Sequence, residues 1–531
     1  MAESVSKSHV LDTSLEDKLS EILKNTKLIK GPTTRYILNT TKITEGELLR
    51  KERIGEKDDK KPHKVILLVG ETGSGKSTLI SAMVNYIMGV RWEHKIWLEV
   101  VETSEDQTES QTTAVTVYEV FPQDSPFSLT IIDTPGFGDT KGEGEDKLIA
   151  EALQQLFRSV DGIHEIHAVC LVLKATDARL HDRQLYIFDE ILSLFGKDIE
   201  KHISILITNA DENVPKKPLN LIKTSKIPCA KKKDDQPIYF KFNNCQSECY
   251  DEEDRSSYKS SWDRGNENLR QFFDYLNGLS PINVYMTEGV LRSRKQLNAS
   301  VNNLKNRIEW AEGKKKELEQ TKAAVKEYEQ DGGNQKNYTF EVDEQYKVLV
   351  EIQSSWWHLS KRAMRCPKCE ENCHYPGCWW VNSLSQCSVM NKDGKCTVCK
   401  KCEHTKHKKD NQIYERRTKK VMRTNEDLKR KYEEYTDKKS LLSKLEDSIK
   451  QADAEKSRLV EECYQCLEKL MDTALKSTSM SCFIHLDFMI EKLKETGNQE
   501  RVQKLEELKR RALEENTGLI RCALKYVQSS A

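Results

Sequence analysis

An apolar run, Val65-Ile66-Leu67-Leu68-Val69, leads directly into Gly70-Glu71-Thr72-Gly73-Ser74-Gly75-Lys76-Ser77 and on into the helix-compatible Thr78-Leu79-Ile80-Ser81-Ala82-Met83-Val84. The eight central residues fit G-x-x-x-x-G-K-[ST] between a buried strand and a helix, the setting in which that pattern cradles phosphate rather than merely turning the chain. Gly70, Gly73 and Gly75 let the backbone adopt conformations other residues resist, which turns successive N–H groups inward. Those donors, with the positive end of the helix, suit a polyphosphate. Lys76 is placed to reach the β- and γ-phosphates and Ser77 to ligate Mg²⁺, with Ser74 and Thr78 in the same cradle.

The chain around this loop divides by pattern. Residues 1–62 are polar, with a short helix expected over 15–23 and a charge run, Lys57-Asp58-Asp59-Lys60-Lys61, before Pro62. Residues 63–281 alternate apolar runs with helical stripes, the signature of an α/β domain with a mainly parallel sheet wrapped by helices. Strands are expected at 65–69, 115–121, 128–133, 168–174, 203–208 and 238–242, and a closing helix near Leu269 to Leu279. Residues 282–360 read as helical coiled coil, with Leu297, Val301, Leu304, Ile308, Ala311, Leu318 and Val325 in heptad spacing. Residues 361–410 are rich in cysteine and histidine. Heptads resume in 411–531, as Leu459, Cys463, Cys466 and Leu470, followed by amphipathic helices.

Two further motifs fall at strand ends. Ile131-Ile132-Asp133-Thr134-Pro135-Gly136 ends the third expected strand; Asp133 there suits a water-mediated hold on Mg²⁺, and the Gly136 N–H suits contact with a γ-phosphate. In the polar loop Gln107-Thr108-Glu109-Ser110-Gln111-Thr112-Thr113, Thr112 is the candidate to complete the Mg²⁺ shell, so that the loop orders only around triphosphate. Thr208-Asn209-Ala210-Asp211 follows a later strand. The Asp211 carboxylate can accept both the N1–H and the 2-amino hydrogen of guanine, a donor pair adenine lacks. Asn209 stands where guanine-nucleotide proteins usually carry a base-stacking lysine. In Phe242-Asn243-Asn244, a side-chain amide, Asn243 first, can bond the base or close its pocket.

With these motifs, the stretch Asp133-Thr134-Pro135-Gly136-Phe137-Gly138-Asp139 and the segment 185–196, residues 63–281 resemble the immunity-associated nucleotide-binding (GIMAP, AIG-type) GTPases and, more distantly, the septins. The resemblance implies a three-layer phosphate-loop GTPase fold, binding of GTP and GDP with Mg²⁺, slow hydrolysis, assembly across a nucleotide-containing interface, and often association with membranes. Lys76, Thr112 and Gly136 carry the catalytic roles in that reading. Phe137 occupies the position where many small GTPases hold the glutamine that orients attacking water, so hydrolysis needs another group, such as one from a dimer partner. Two rivals stand beside it: a scaffold that holds nucleotide with little or no hydrolysis, and an ATP-using phosphate-loop enzyme, which Asp211 disfavours.

Between 366 and 407 the chain offers Cys366, Cys369, Cys373, His374, Cys378, Cys387, Cys396, Cys399, Cys402, His404 and His407. Two C-x-x-C knuckles about thirty residues apart, with histidine nearby, supply more soft ligands than one tetrahedral site uses and suit one or two Zn²⁺. Bound metal would stabilise a segment too short and polar to form its own core. Trp356, Trp357, Trp379 and Trp380 are read as packing around this module, and Cys463 and Cys466 as buried thiols on a helix.

Composition bounds the partners. Lys+Arg and Asp+Glu balance at 85 each, which gives no global field for nucleic acid. No apolar stretch reaches membrane-spanning length and the N-terminus lacks a hydrophobic signal core, so a cytoplasmic protein, peripheral to membranes at most, is expected. Homo-oligomers through the nucleotide domain or the coiled coil, and protein partners, complete the expectation.

Overall fold

A computed structural model describes residues 26–29, 34–46, 48–100, 114–123, 125–135, 143–159, 161–177, 188–189, 191–245, 253–330, 339–352, 362–375, 383–387, 389–391, 393–399, 402–424, 438–478 and 480–515. The chain divides into two compact units, the first built from residues up to Glu288 together with Ala474–Lys476, the second from Gly289–Thr473 and Ser477–Glu514. The helix expected over 15–23 lies outside the described residues.

The first unit is an α/β phosphate-loop fold. Its main sheet has eight strands in the order Tyr239–Lys241, Ile203–Thr208, Ala168–Lys174, His63–Gly70, Ser128–Asp133, Val115–Phe121, Leu49–Gly55 and Thr41–Glu45. The first five run parallel; Ser128–Asp133 meets Val115–Phe121 antiparallel, and the edge pair 41–45 and 49–55 is again antiparallel. Strands covered on both faces must be apolar throughout, and Ile66, Leu67, Leu68 and Val69 are fully buried, as are Ile203, Ile205, Leu206 and Ile207. Helices Lys76–Ile87, Glu143–Arg158 and Arg255–Gly278 belong to this unit; the last buries Trp262, Leu269, Phe272, Phe273 and Leu276 and starts well before the range expected for it.

Residues 41–55, read from their polarity as part of an N-terminal segment, supply two strands of this sheet. Charge replaces hydrophobicity there. Lys51 and Arg53 both pair with Glu119 on the neighbouring strand, at 2.9 and 2.8 Å, and Arg53 is the direct cross-strand partner of Glu119.

The second unit contains the helix Tyr285–Gln330 from Gly289 onward and the helices Lys438–Thr473, Met480–Glu495 and Gln499–Glu515. The heptad positions Leu297, Val301, Leu304, Leu459, Cys463 and Leu470 are buried in it. Within ranges expected to be helical, Thr339–Glu351 and Gln412–Thr424 instead form a thirteen-residue antiparallel ribbon, Thr339 opposite Thr424 and Glu351 opposite Gln412. The cause is a two-residue alternation in 340–350, where Phe340 and Val342 turn inward between exposed polar neighbours. The cysteine-rich residues lie between the two ribbon strands in sequence and add a small three-stranded sheet, Glu371–His374, Ala363–Cys366 and Lys408–Asp410. Asn372 ties that sheet to the ribbon by accepting from the Tyr414 N–H at 2.8 Å and donating to its carbonyl at 2.9 Å.

Candidate nucleotide site and candidate metal centre

The phosphate loop leaves the strand His63–Gly70 and enters the helix Lys76–Ile87. Gly75 is the N-cap with φ +87°, it offers no side-chain cap, and no acidic residue stands in the first turn. The first N–H groups of the helix are therefore left for an external anion. Gly73 also holds a left-handed φ of +74°, and a Cβ on Gly70 would stand 2.7 Å from the Val172 carbonyl oxygen and 2.8 Å from the Ser74 hydroxyl. These three glycines are fixed by backbone geometry. The hydroxyls of Thr72 and Ser74 are sealed from solvent with no hydrogen-bond partner among the described residues.

Lys76 is buried, and its ammonium donates to the carbonyls of Gly70 at 2.8 Å and Glu71 at 3.1 Å. Burial pulls its pKa down to about 8, against the opposing pull of the Asp133 and Glu71 charges. A phosphate would supply the missing counter-charge. Asp133 is fully buried at the end of its strand, and the next residue, Thr134, donates from its hydroxyl to the Leu68 carbonyl at 2.9 Å, joining that strand end to the one carrying the loop. Ser77 lies half-buried at the helix start, and Thr78 faces solvent. Thr112, Gly136 and Phe137 lie outside the described residues.

The turn Thr208-Asn209-Ala210-Asp211 is fastened to the phosphate loop by a residue to which motif reasoning gave no role. The Thr208 hydroxyl lies 2.7 Å from the Ser74 carbonyl and 3.2 Å from that of Leu173, and its methyl group would meet a Cβ on Gly75 at 3.2 Å. Asn209 follows with φ +49°, in the left-handed region that asparagine tolerates well. Asp211 is exposed and accepts from the Asn213 N–H at 2.9 Å and side-chain amide at 3.2 Å, so its carboxylate is oriented by the turn itself. Lys241 clamps the turn from the next strand, donating to the carbonyls of Asp211, Glu212 and Asn213 at 3.3, 2.6 and 3.2 Å. Asn243 is exposed. The adjacent Asn244 has its side-chain carbonyl buried with no hydrogen-bond partner among the described residues.

In the second unit the ligand atoms of Cys366, Cys369, Cys399 and Cys402 lie within 4.8 Å of one another, as do those of Cys373, Cys396, Cys399 and His407. Either group can hold a metal ion. The six cysteines are reduced thiols, and of the seven residues all but Cys369 are buried. Of the other expected ligands, His374 Nδ1 lies 3.2 Å from Cys387 Sγ and His404 stands beside Gly394; none of these three belongs to either group. Cys378 and the four tryptophans lie outside the described residues. Cys463 and Cys466 are buried helix thiols whose pKa values burial pushes up.

Sheet order, glycine-bound loop and buried strand-end aspartate define a phosphate-loop GTPase type of fold. Residues 64–230 match the family model of the AIG1 family, so this segment is an AIG1-type GTPase domain. Among solved structures the chain is similar to Toc33 from Arabidopsis thaliana in complex with Mg²⁺ and GMPPNP, at 17% identity and a TM-score of 0.28, over 42% of this chain and 89% of that one. It is similar also to a dimerization-deficient mutant of Toc33, at 16% identity and a TM-score of 0.25, over 40% and 85% of the two chains. A comparison with curated proteins finds no match.

Proposed function

We propose that the first unit binds guanine nucleotide with Mg²⁺ and hydrolyses GTP slowly, acting as a nucleotide-controlled assembly switch. The observation that supports this reading is the Thr208 hydroxyl at 2.7 Å from the Ser74 carbonyl, a hydrogen bond joining the loop that would hold phosphate to the turn that would read guanine. Gly70, Gly73, Ser74, Gly75 and Lys76 would hold the phosphates, Ser77 and Asp133 the Mg²⁺, and Asp211 the base, with Asn243 or Asn244 beside it. Thr112 and Gly136 would sense the γ-phosphate. Phe137 leaves the water-orienting role to another group, which supports slow turnover and a contribution from a second copy of the chain. The same residue favours a second reading, a nucleotide-holding scaffold with little hydrolysis.

The cysteine and histidine groups of the second unit would bind Zn²⁺ structurally, fastening the end of the ribbon for recognition of protein partners. Among the described residues no helix is long and apolar enough to cross a membrane.

Titration of the protein with labelled GDP and ADP in Mg²⁺ tests the guanine assignment. GDP alone should bind tightly, and Asp211→Ala should weaken it by about 10- to 100-fold, the worth of hydrogen bonds to a charged group. Equal affinity for ADP would remove the assignment. Light scattering with GDP against a non-hydrolysable GTP analogue then tests the switch, and an unchanged mass rules it out. GTP turnover below the rate of nucleotide release would favour the scaffold.

A further inference from the structure

The two metal-ligand groups are not independent, because Cys399 belongs to both. Their union is six cysteines and one histidine: Cys366, Cys369, Cys373, Cys396, Cys399, Cys402 and His407. Two tetrahedral ions need eight ligand positions, and seven atoms fill eight positions only if one of them is used twice. A thiolate sulfur has the lone pairs to do so; an imidazole nitrogen does not. We propose that this module holds a binuclear Zn²⁺ cluster in which the Cys399 thiolate bridges one ion bound by Cys366, Cys369 and Cys402 to a second bound by Cys373, Cys396 and His407. The proposal rests on the zinc reading above and extends it to the number of ions and their connection.

The distances fit tetrahedral edges. Bonds of about 2.3 Å to sulfur and about 2.0–2.1 Å to nitrogen put two sulfurs about 3.8 Å apart and a sulfur and a nitrogen about 3.6 Å apart. Cys369 Sγ lies 3.5 Å from Cys402 Sγ in the first group, and Cys399 Sγ lies 3.5 Å from His407 Nε2 in the second. The second edge also says which nitrogen binds. His407 Nδ1 lies 2.9 Å from the Glu403 carbonyl, which can only accept, so Nδ1 carries the proton and Nε2 presents its lone pair toward Cys399.

The surroundings suit thiolates. The backbone N–H groups of Val398 and Cys399 donate to Cys396 Sγ at 3.4 and 3.5 Å, the amide–sulfur bonds that a turn gives to a negatively charged sulfur. Six thiolates around two divalent ions leave two negative charges; Lys347 donates to the Cys369 carbonyl at 3.4 Å and Arg458 to that of Val398 at 3.3 Å, while each is also paired with a carboxylate, Glu371 at 2.9 Å and Glu462 at 2.7 Å.

The full chain, purified under reducing conditions and loaded with zinc, should retain two ions after desalting. Loaded with cadmium, it should give two NMR resonances coupled to each other through the shared sulfur. Two uncoupled resonances, or a single ion per chain, would overturn the bridge; no retained metal would overturn the zinc reading itself. Cys366→Ser should release one ion to a chromogenic chelator and keep the other, whereas Cys399→Ser should release both at lower chelator concentration. Loss of one ion from Cys399→Ser with the other held at wild-type affinity would overturn the shared role. The cadmium spectrum of the unaltered chain decides the question even if a variant fails to fold.

Discussion

The most quantitative test of the nucleotide unit concerns a histidine that no motif singles out. His167 directly precedes the strand Ala168–Lys174, is only 6% exposed, and accepts from the Val65 N–H through Nδ1 at 3.2 Å. Its own N–H donates to the Val65 carbonyl at 2.8 Å, and its carbonyl meets His202 Nδ1 at 2.9 Å. It therefore pins the entry of one central strand to the strand that feeds the phosphate loop. Because Nδ1 must accept, the ring has to be neutral. Burial, with smaller contributions from Lys64, His63 and His202, lowers its pKa from 6.5 to about 4. For a depressed histidine, the stabilisation is fully present above 6.5 and is lost as pH falls toward 4, because the unfolded chain takes up the proton first. Between pH 7 and pH 5 the loss works out at about 1.8 kcal/mol, or about twentyfold in the opening equilibrium, at 1.36 kcal/mol per pKa unit. Hydrogen exchange of peptides covering 63–70 and 168–174, corrected for intrinsic rates, reads this directly. His167→Gln keeps an acceptor for Val65 and cannot titrate, so its protection should fall about twentyfold less over that interval. Parallel losses in wild type and variant would refute the reasoning.

Other residues give shorter tests. Since the Lys76 ammonium has a pKa of about 8 in the nucleotide-free pocket, GDP binding should take up about three quarters of a proton at pH 8.5, and affinity should fall as pH rises through 8. Calorimetry in buffers of different ionisation heat measures this, and no uptake would refute it. Thr208→Val keeps the shape but leaves the Ser74 carbonyl without its donor, a loss of about 1–3 kcal/mol, so GDP affinity should drop on the order of tenfold and return in Thr208→Ser. Wild-type affinity in the valine variant would sink the idea. Glu371, 5% exposed, pairs with Arg307 at 2.7 Å, Lys347 at 2.9 Å and Arg416 at 3.4 Å; Glu371→Gln should cost about 3–5 kcal/mol in thermal unfolding of the second unit by leaving those cations uncompensated. An unchanged melting temperature would refute that role.

What could be read in the residues follows from which interactions are written locally. The strand Ile203–Thr208 and the loop Gly70–Ser77 were legible because burial on both faces demands continuous apolar residues and because a phosphate cradle demands glycine at set intervals. The strand Leu49–Gly55 was not. Its suitability for the sheet resides in Glu119, sixty-six residues after Arg53, and a charge pair of that separation leaves no local pattern. Asn209 was legible as an identity, but its left-handed φ of +49° was not.

The cysteine segment separates the two kinds of information most sharply. Paired C-x-x-C spacing marks Cys366 with Cys369 and Cys396 with Cys399 as neighbours, since two intervening residues suffice to turn two sulfurs toward one point. A knuckle, however, does not have to act as a unit. Cys366 and Cys369 stay in one ligand group, while Cys396 stands with Cys373 and His407, and Cys399 reaches both. The antiparallel pairing of Ala363–Cys366 with Glu371–His374 and with Lys408–Asp410 sets this partition, by bringing the two ends of the module together. Spacing therefore marks the knuckles, but the folded arrangement decides which other residues join them and how the sulfurs are grouped. A change that shifts the sheet register, such as loss of the Arg365–Asp410 pair at 2.6 Å, should redistribute metal between the two groups without touching a single ligand.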